Sequence, residues 1–427
     1  MGYAMGAAVQ KGLGFLLFLT LANLLPASEY AMFGLMYALQ AGIATFAMAG
    51  IVETAVGAMK SNKESNQRLA VFRQVKFLFI VIASATIVAG GVIFTVIGQI
   101  SPSAVLLALL FGGISALVTI QAQLSRLEED HTTTLITSNI PPICGIVAAA
   151  IAAFLDFQAQ SIFLIMSTGM LSGYLLILRF WRGGIRGWEQ PADLGGGLWK
   201  LHPFLVIAIF DWLSGYGSLF LVEASFSHVE VARFVFAYTL SSLMHLIATS
   251  LNQIWSPRIY VELQKGNLSK LHASSRIFYI VQGASIGFMG CLIIAGVSFL
   301  SYLGPFNLQN YHNMIYETLF LLLAYAFVIP WYYAQNFFYY HGEGSHLLKI
   351  TLVSGVAGLA LWFVAVTQLG SIGSYVGFFA LMATKSAVGA VSAWRKWEVP
   401  IAWEGTAIAA IVMIGCAYTI ASLSGQH

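Results

Sequence analysis

The stretch Trp181-Arg182-Gly183-Gly184-Ile185-Arg186-Gly187-Trp188-Glu189-Gln190-Pro191, continuing through Gly195-Gly196-Gly197 to Lys200, decides how this chain is organised. It is polar, glycine-rich and basic, and it falls near the middle of 427 residues. Six apolar runs precede it, near residues 6 to 25, 30 to 57, 77 to 98, 104 to 125, 132 to 155 and 161 to 180. Six more follow, near 202 to 223, 232 to 256, 276 to 300, 315 to 340, 349 to 368 and 373 to 394, and a thirteenth covers 405 to 423. At about 1.5 Å of rise per helical residue, runs of this length cross about 30 Å of hydrocarbon. The sequence therefore predicts an all-α polytopic membrane protein. Two six-helix bundles, 1–190 and 191–395, are expected to rock against each other as transporter repeats do, with an extra transmembrane helix in 396–427.

Basic residues orient the spans. Eighteen of the twenty Lys and Arg lie in or at the ends of every second gap. These include Lys60, Lys63, Arg68, Arg73 and Lys76, then Arg126, then Arg182 and Arg186, then Arg258, Lys265, Lys270 and Arg276, then Lys349, then Arg395 and Lys396. Lys/Arg bias in short loops holds those loops in the cytoplasm, so a bacterial inner-membrane protein with a cytoplasmic N-terminus is expected. The first run is read as a helix and not as a signal peptide, because apolar residues begin before Lys11. Two basic residues escape the pattern: Arg233, at the outer start of the eighth span, and Lys385, inside the twelfth.

A chain that is 59% hydrophobic and 9% charged, with a mean hydropathy of +0.81, leaves no room for a soluble domain. Its net charge of +3 sits in loops and gives no reason to expect nucleic acid. Cys144, Cys291 and Cys416 lie inside spans, and their separation argues against a disulfide framework.

Ionisable groups at mid-bilayer are costly, and so mark function by default. Asp211 and Lys385 each lie about ten residues from the cytoplasmic end of their spans, about 15 Å deep, and His245 comes out at a similar depth. Asp211 and Lys385 also have opposite charges, so neutralising one another is an alternative to a transport role. On the eighth span Tyr238, Ser241, Ser242, His245, Thr249, Asn252 and Ser256 share one helical face, as either a cavity wall or a hydrogen-bonded seam. The seventh carries a shorter stripe of Asp211, Ser214, Gly215 and Ser218. In the first half Glu53 is either a cation ligand or an ion-pair partner, and Lys11 either faces a cavity or snorkels to the surface. Pro141-Pro142 and Pro330 are expected to kink their helices. Trp331 to Tyr340 reads as an interfacial aromatic belt, with sugar stacking as the alternative.

Several local strings, in this order, resemble one family. Leu24-Leu25-Pro26-Ala27-Ser28-Glu29-Tyr30-Ala31-Met32-Phe33-Gly34 is similar to the first loop of the polysaccharide flippases of the multidrug/oligosaccharidyl-lipid/polysaccharide exporter superfamily, with Ala31 where Gly is usual. Ser227 to Tyr238 resembles the family's entry to its eighth helix, and Asn252-Gln253-Ile254-Trp255-Ser256-Pro257-Arg258-Ile259-Tyr260 its exit. Gly370-Ser371-Ile372-Gly373-Ser374-Tyr375 resembles the turn into the twelfth. The thirteenth span departs from the family's twelve.

The resemblance implies a flippase that moves undecaprenyl-diphosphate-linked oligosaccharide from the cytoplasmic to the outer leaflet, for O-antigen, capsule or exopolysaccharide assembly. Membrane lipids, a polymerase and other glycan-assembly proteins would be its partners. A diphosphate cargo needs cations, and Lys11, Arg233 and Lys385 are available, with Tyr238 and Asn252 as polar contacts. No Gly-Lys dipeptide occurs, which excludes a Walker loop and any nucleotide cofactor bound through it. Coupling then falls to a proton or sodium gradient, with Asp211, His245 and Glu53 as the expected groups and no metal site. The rival within the superfamily is a cation-coupled multidrug antiporter. A membrane glycan polymerase or ligase would need catalytic residues on an outer loop, yet Ser301 to Met314 contains no Lys, Arg, Asp or Glu.

Overall fold

The computed structural model describes residues 2–48, 83, 84, 87, 101–127, 131–180, 195–300, 311 and 313–423. All regular structure among them is helical, as expected where hydrocarbon leaves backbone polar groups no partners but each other. Ten helical segments are long and apolar enough to cross a bilayer, so this is a multi-pass membrane protein. The helices fall in two compact units, Met1–Phe220 and Leu221–His427.

The first unit holds α1 (Gly2–Leu24), α2 (Ala27–Met48), α3 (Pro102–Leu127), α4 (His131–Phe154), α5 (Ala159–Phe180) and α6 (Gly195–Ser214). Helices in lipid gain little from burying apolar surface against one another, so close packing of small residues and buried polar contacts hold them. Between α4 and α5, a side chain at Gly169 would come within 2.8 Å of Ala148 Cβ and 2.9 Å of the Cys144 carbonyl. Between α2 and α3, the buried Gln40 donates through Nε2 to Ser115 Oγ at 2.8 Å. Glu29, in the first of the flippase-like strings, accepts the backbone N–H of Ala159 at 2.8 Å. That carboxylate caps the positive end of α5. Pro141 and Pro142 lie within α4, which runs through them without interruption.

The second unit begins within α7 (Ser218–Glu223), and holds α8 (His228–Gln264), α9 (Leu268–Leu300), α10 (Ile315–Phe327), α11 (Ile329–Tyr340), α12 (Gly344–Leu369), α13 (Ile372–Trp397) and α14 (Trp403–Leu423). The basic gap expected between the eighth and ninth spans is a correction to the sequence reading. Helices α8 and α9 run on through it and leave only a turn at Lys265–Asn267, closed by Gly266 at φ +69°. Arg258, Lys270 and Arg276 therefore sit on helix extensions that rise beyond the apolar spans. Gly370, at φ +61°, ends α12 in the same left-handed way, and α13 starts two residues later.

The thirteenth run is the helix α14, packed along α9. Gly283 and Gly405 let the two backbones cross at a distance that a side chain on either would close. The same pairing brings two of the three cysteines near one another without joining them. Cys416 Sγ lies 3.8 Å from the Cys291 carbonyl, and Cys291 Sγ 3.5 Å from that of Val412. Distance along the chain is a poor guide to distance in a bundle; both residues are nonetheless free thiols.

Candidate functional site

In the second unit the candidate site forms around an interruption in the tenth span. Pro330, in the first turn of α11, has no N–H to offer the carbonyl of Ala326 four residues back. The helix lapses at Val328, and Thr406 of α14 donates its hydroxyl to Ala326 O at 3.1 Å. The Val328 N–H also turns back to Ala326 O, so α14 adds a second donor to the carbonyl that the tenth span's proline cannot serve.

Two of the titratable groups singled out in the sequence converge just beyond this point. Lys385 of α13 holds its ammonium 5.5 Å from the ring centroid of Trp331. One turn along α13, Gly389 leaves the space that the Trp331 ring fills. Glycine and lysine four residues apart are therefore what seat the indole and bring a cation to its face. His245 of α8 meets the next residue, with Nδ1 3.2 Å from the Tyr332 hydroxyl, and its ring lies 5.5 Å from that of Tyr325. Consecutive residues of α11 thus receive His245 and Lys385.

Most hydroxyls on the polar face of α8 are satisfied within the helix, and Asn252 and His245 bond across to α11. Asn252 Oδ1 accepts from Asn336 Nδ2 at 3.0 Å, and Asn336 also donates to the Tyr332 carbonyl at 2.8 Å. Ser241, Ser242, Thr249 and Ser256 bond to carbonyls three or four residues back on their own helix. Tyr238 is buried between Phe234 and Phe378, with ring centroids at 6.3 and 5.7 Å. His245 is the member of that face that stays exposed.

Arg233, read in the sequence as a cation for cargo, is engaged by carboxylates. Its Nη2 lies 3.0 Å from Glu317 Oε1 and its Nη1 3.7 Å from Glu230 Oε1. Glu317, half-buried at the start of α10, escaped the sequence reading because it sits at a span end with its partner 84 residues away. The aromatic run also needs correction. Trp331, Tyr332, Tyr333, Phe337 and Phe338 are buried inside the unit, and only Tyr339 and Tyr340 at its end reach outward, so no interfacial belt forms there.

In the first unit the seventh span is also interrupted. α6 ends at Ser214, and the Trp212 carbonyl accepts from Gly215 N at 3.0 Å and Gly217 N at 2.7 Å. The Trp212 indole packs on Gly42 of α2 and donates to the Ala38 carbonyl at 2.9 Å. Asp211 is exposed one residue before this turn. Lys11 lies in α1, its side chain outside the described set, and Glu53 lies outside the described residues. Among the described residues no cluster of three metal-ligating side chains occurs.

No family model and no curated protein matches this sequence. Solved structures do match in fold. An inward-facing multidrug-resistance MATE family transporter of the MOP superfamily is 14% identical, with a TM-score of 0.65, over 91% of this chain and 94% of its own. The lipid II flippase MurJ in an inward closed conformation is 13% identical, with a TM-score of 0.62, over 99% and 98%. A eukaryotic MATE transporter is 13% identical, with a TM-score of 0.61, over 97% of each. The chain therefore has the fold of these transporters.

Proposed function

We propose that this protein is an ion-coupled flippase for undecaprenyl-diphosphate-linked oligosaccharide, carrying it from the cytoplasmic to the outer leaflet of a bacterial inner membrane for O-antigen, capsule or exopolysaccharide assembly. The observation that carries the reading is the Lys385 ammonium over Trp331 at the interrupted tenth span. Interrupted helices in transporters put helix ends and side chains where substrates bind, and the N-terminal end of a half-helix favours an anion. A lysine beside that end and an aromatic face together suit a cargo that joins a diphosphate to sugar rings. His245, hydrogen-bonded to Tyr332, is placed to titrate as cargo moves. Asp211 and Glu53 remain the proposed coupling carboxylates of the first half, and Lys11 its proposed cargo cation.

The second reading is a cation-coupled multidrug antiporter, and the MATE likeness together with the carboxylates Asp211 and Glu317 favours it. Purified protein in proteoliposomes separates the two. A flippase exposes inner-leaflet undecaprenyl-diphosphate oligosaccharide to an external glycosidase at a rate that responds to an imposed ion gradient. An antiporter instead moves a cationic dye against that gradient and leaves the glycolipid where it was.

A further inference from the structure

Away from the interrupted span, α8 and α9 enclose a cavity of about 440 Å³ beside their connecting turn. Trp255 forms its apolar floor. The indole stacks on Phe278 at 4.5 Å and donates to Ser275 Oγ at 3.1 Å, so its position is fixed from behind. Arg258 lies over the Trp255 ring, 5.4 Å from its centroid. A cation held through a ring face keeps its N–H donors for something else. Lys270 enters the cavity from the first turn of α9.

Charge balance points the same way. Glu262, the cavity's carboxylate, is taken by Lys265 at 3.1 Å. Among the described residues neither Arg258 nor Lys270 has an ion-pair partner, so two positive charges face the space uncompensated. Val261, which lines it, is 46% exposed, and Ile254, seven residues back on α8, is 60% exposed. Basic groups beside a buried tryptophan, flanked by exposed aliphatic side chains at a helix-hairpin end, match the boundary between headgroups and acyl chains.

We infer that the α8–α9 cavity binds the phosphate of an anionic phospholipid headgroup, with Arg258 and Lys270 as its ligands, Trp255 as its floor and the acyl chains lying along Ile254 and Val261. The site is separate from the cargo site and holds under either transport reading. A lipid bound there ties the ends of α8 and α9 to one leaflet.

Native mass spectrometry of the full chain, titrated with dioleoyl phosphatidylglycerol or dioleoyl phosphatidylcholine, tests this. The wild-type protein is expected to take up one phosphatidylglycerol well before any phosphatidylcholine. With each basic residue worth about fivefold, Arg258→Gln with Lys270→Gln weakens that first adduct about thirtyfold. Lys349→Gln, which alters an exposed charge on α12 that does not line the cavity, changes it less than about twofold. Equal uptake of the two lipids by wild type, a comparison that needs no variant to fold, overturns the proposal. So does a double variant that binds phosphatidylglycerol as wild type does. Displacement of the lipid by millimolar inorganic phosphate assigns the cavity to free anions and overturns the headgroup assignment.

Discussion

The seventh and tenth spans are both interrupted, and in different ways. At Gly215–Gly217 the chain makes its own turn, with the Trp212 carbonyl accepting two N–H groups and the indole fastened to α2. At Val328 the local cause is a proline, and the carbonyl it cannot serve accepts from the Val328 N–H and from the hydroxyl of Thr406 on another helix. The first interruption is held by its own backbone and one neighbour. The second takes a hydroxyl donor from α14 beside its own backbone N–H, and it gathers a histidine and a lysine on consecutive residues. An interruption that takes a donor from another helix and collects charge has the features of a working site.

That contrast can be broken by mutation. The largest effect is expected at the second interruption: if Lys385 holds cargo as proposed, Lys385→Ala should lower flipping per molecule about tenfold to a hundredfold, with protein level unchanged. Flux and abundance measured together check it; an equal loss of both would reduce Lys385 to a packing residue. At the first interruption, Trp212→Ala should cost about 3 kcal/mol of stability, read as a loss of folded protein in a detergent melt, with flux per surviving molecule retained. His245→Phe keeps a ring beside Tyr325 but loses the bond to Tyr332. It should flatten the pH dependence of transport while changing stability by only about 1 kcal/mol, visible as a flat rate between pH 5 and pH 8 on titration.

Smaller effects sharpen the comparison. Thr406→Val leaves the Ala326 carbonyl without its hydroxyl donor, and about 0.6 to 2 kcal/mol should be lost, again by thermal melt. The smallest effect is expected outside the membrane. A hydrogen bond from Lys396, at 2.6 Å, is the main reason that the Glu343 carboxyl titrates below its ordinary range. A lowered folded-state value means that the pair stabilises above the unfolded carboxyl's range and that this is lost as pH falls through the folded value. Glu343→Gln should therefore melt slightly below wild type at neutral pH, and the two curves should meet in acid.

Much of this was readable from residue spacing. The all-helical, multi-pass fold followed from apolar run lengths, and Lys385 stood out because it broke the pattern of the basic loops. Pro330 marked the interruption of the tenth span, whereas the glycine turn of the seventh lay hidden in what read as one continuous span with a stripe of small residues. Partnerships across helices were not readable. Nothing near Arg233 points to Glu317, and nothing near Ala326 points to Thr406, because such contacts join positions tens of residues apart. Trp331 to Phe338 illustrates the limit: aromatic residues near a span end look alike whether they face lipid or a neighbour. Here the choice is made by Gly389 on α13, which opens the space the indole takes. Likewise the polar face of α8 was recognisable as a face, while its division into a seam at Asn252 and an exposed His245 depends on what α11 presents to it.

The most direct test of the account is complementation of a bacterial strain that lacks its O-antigen flippase, scored by surface glycan at matched protein levels. Wild type should restore the glycan, while His245→Ala and Lys385→Ala, present in normal amounts, should not. Full restoration by both variants would contradict a cargo and coupling site at the interrupted tenth span.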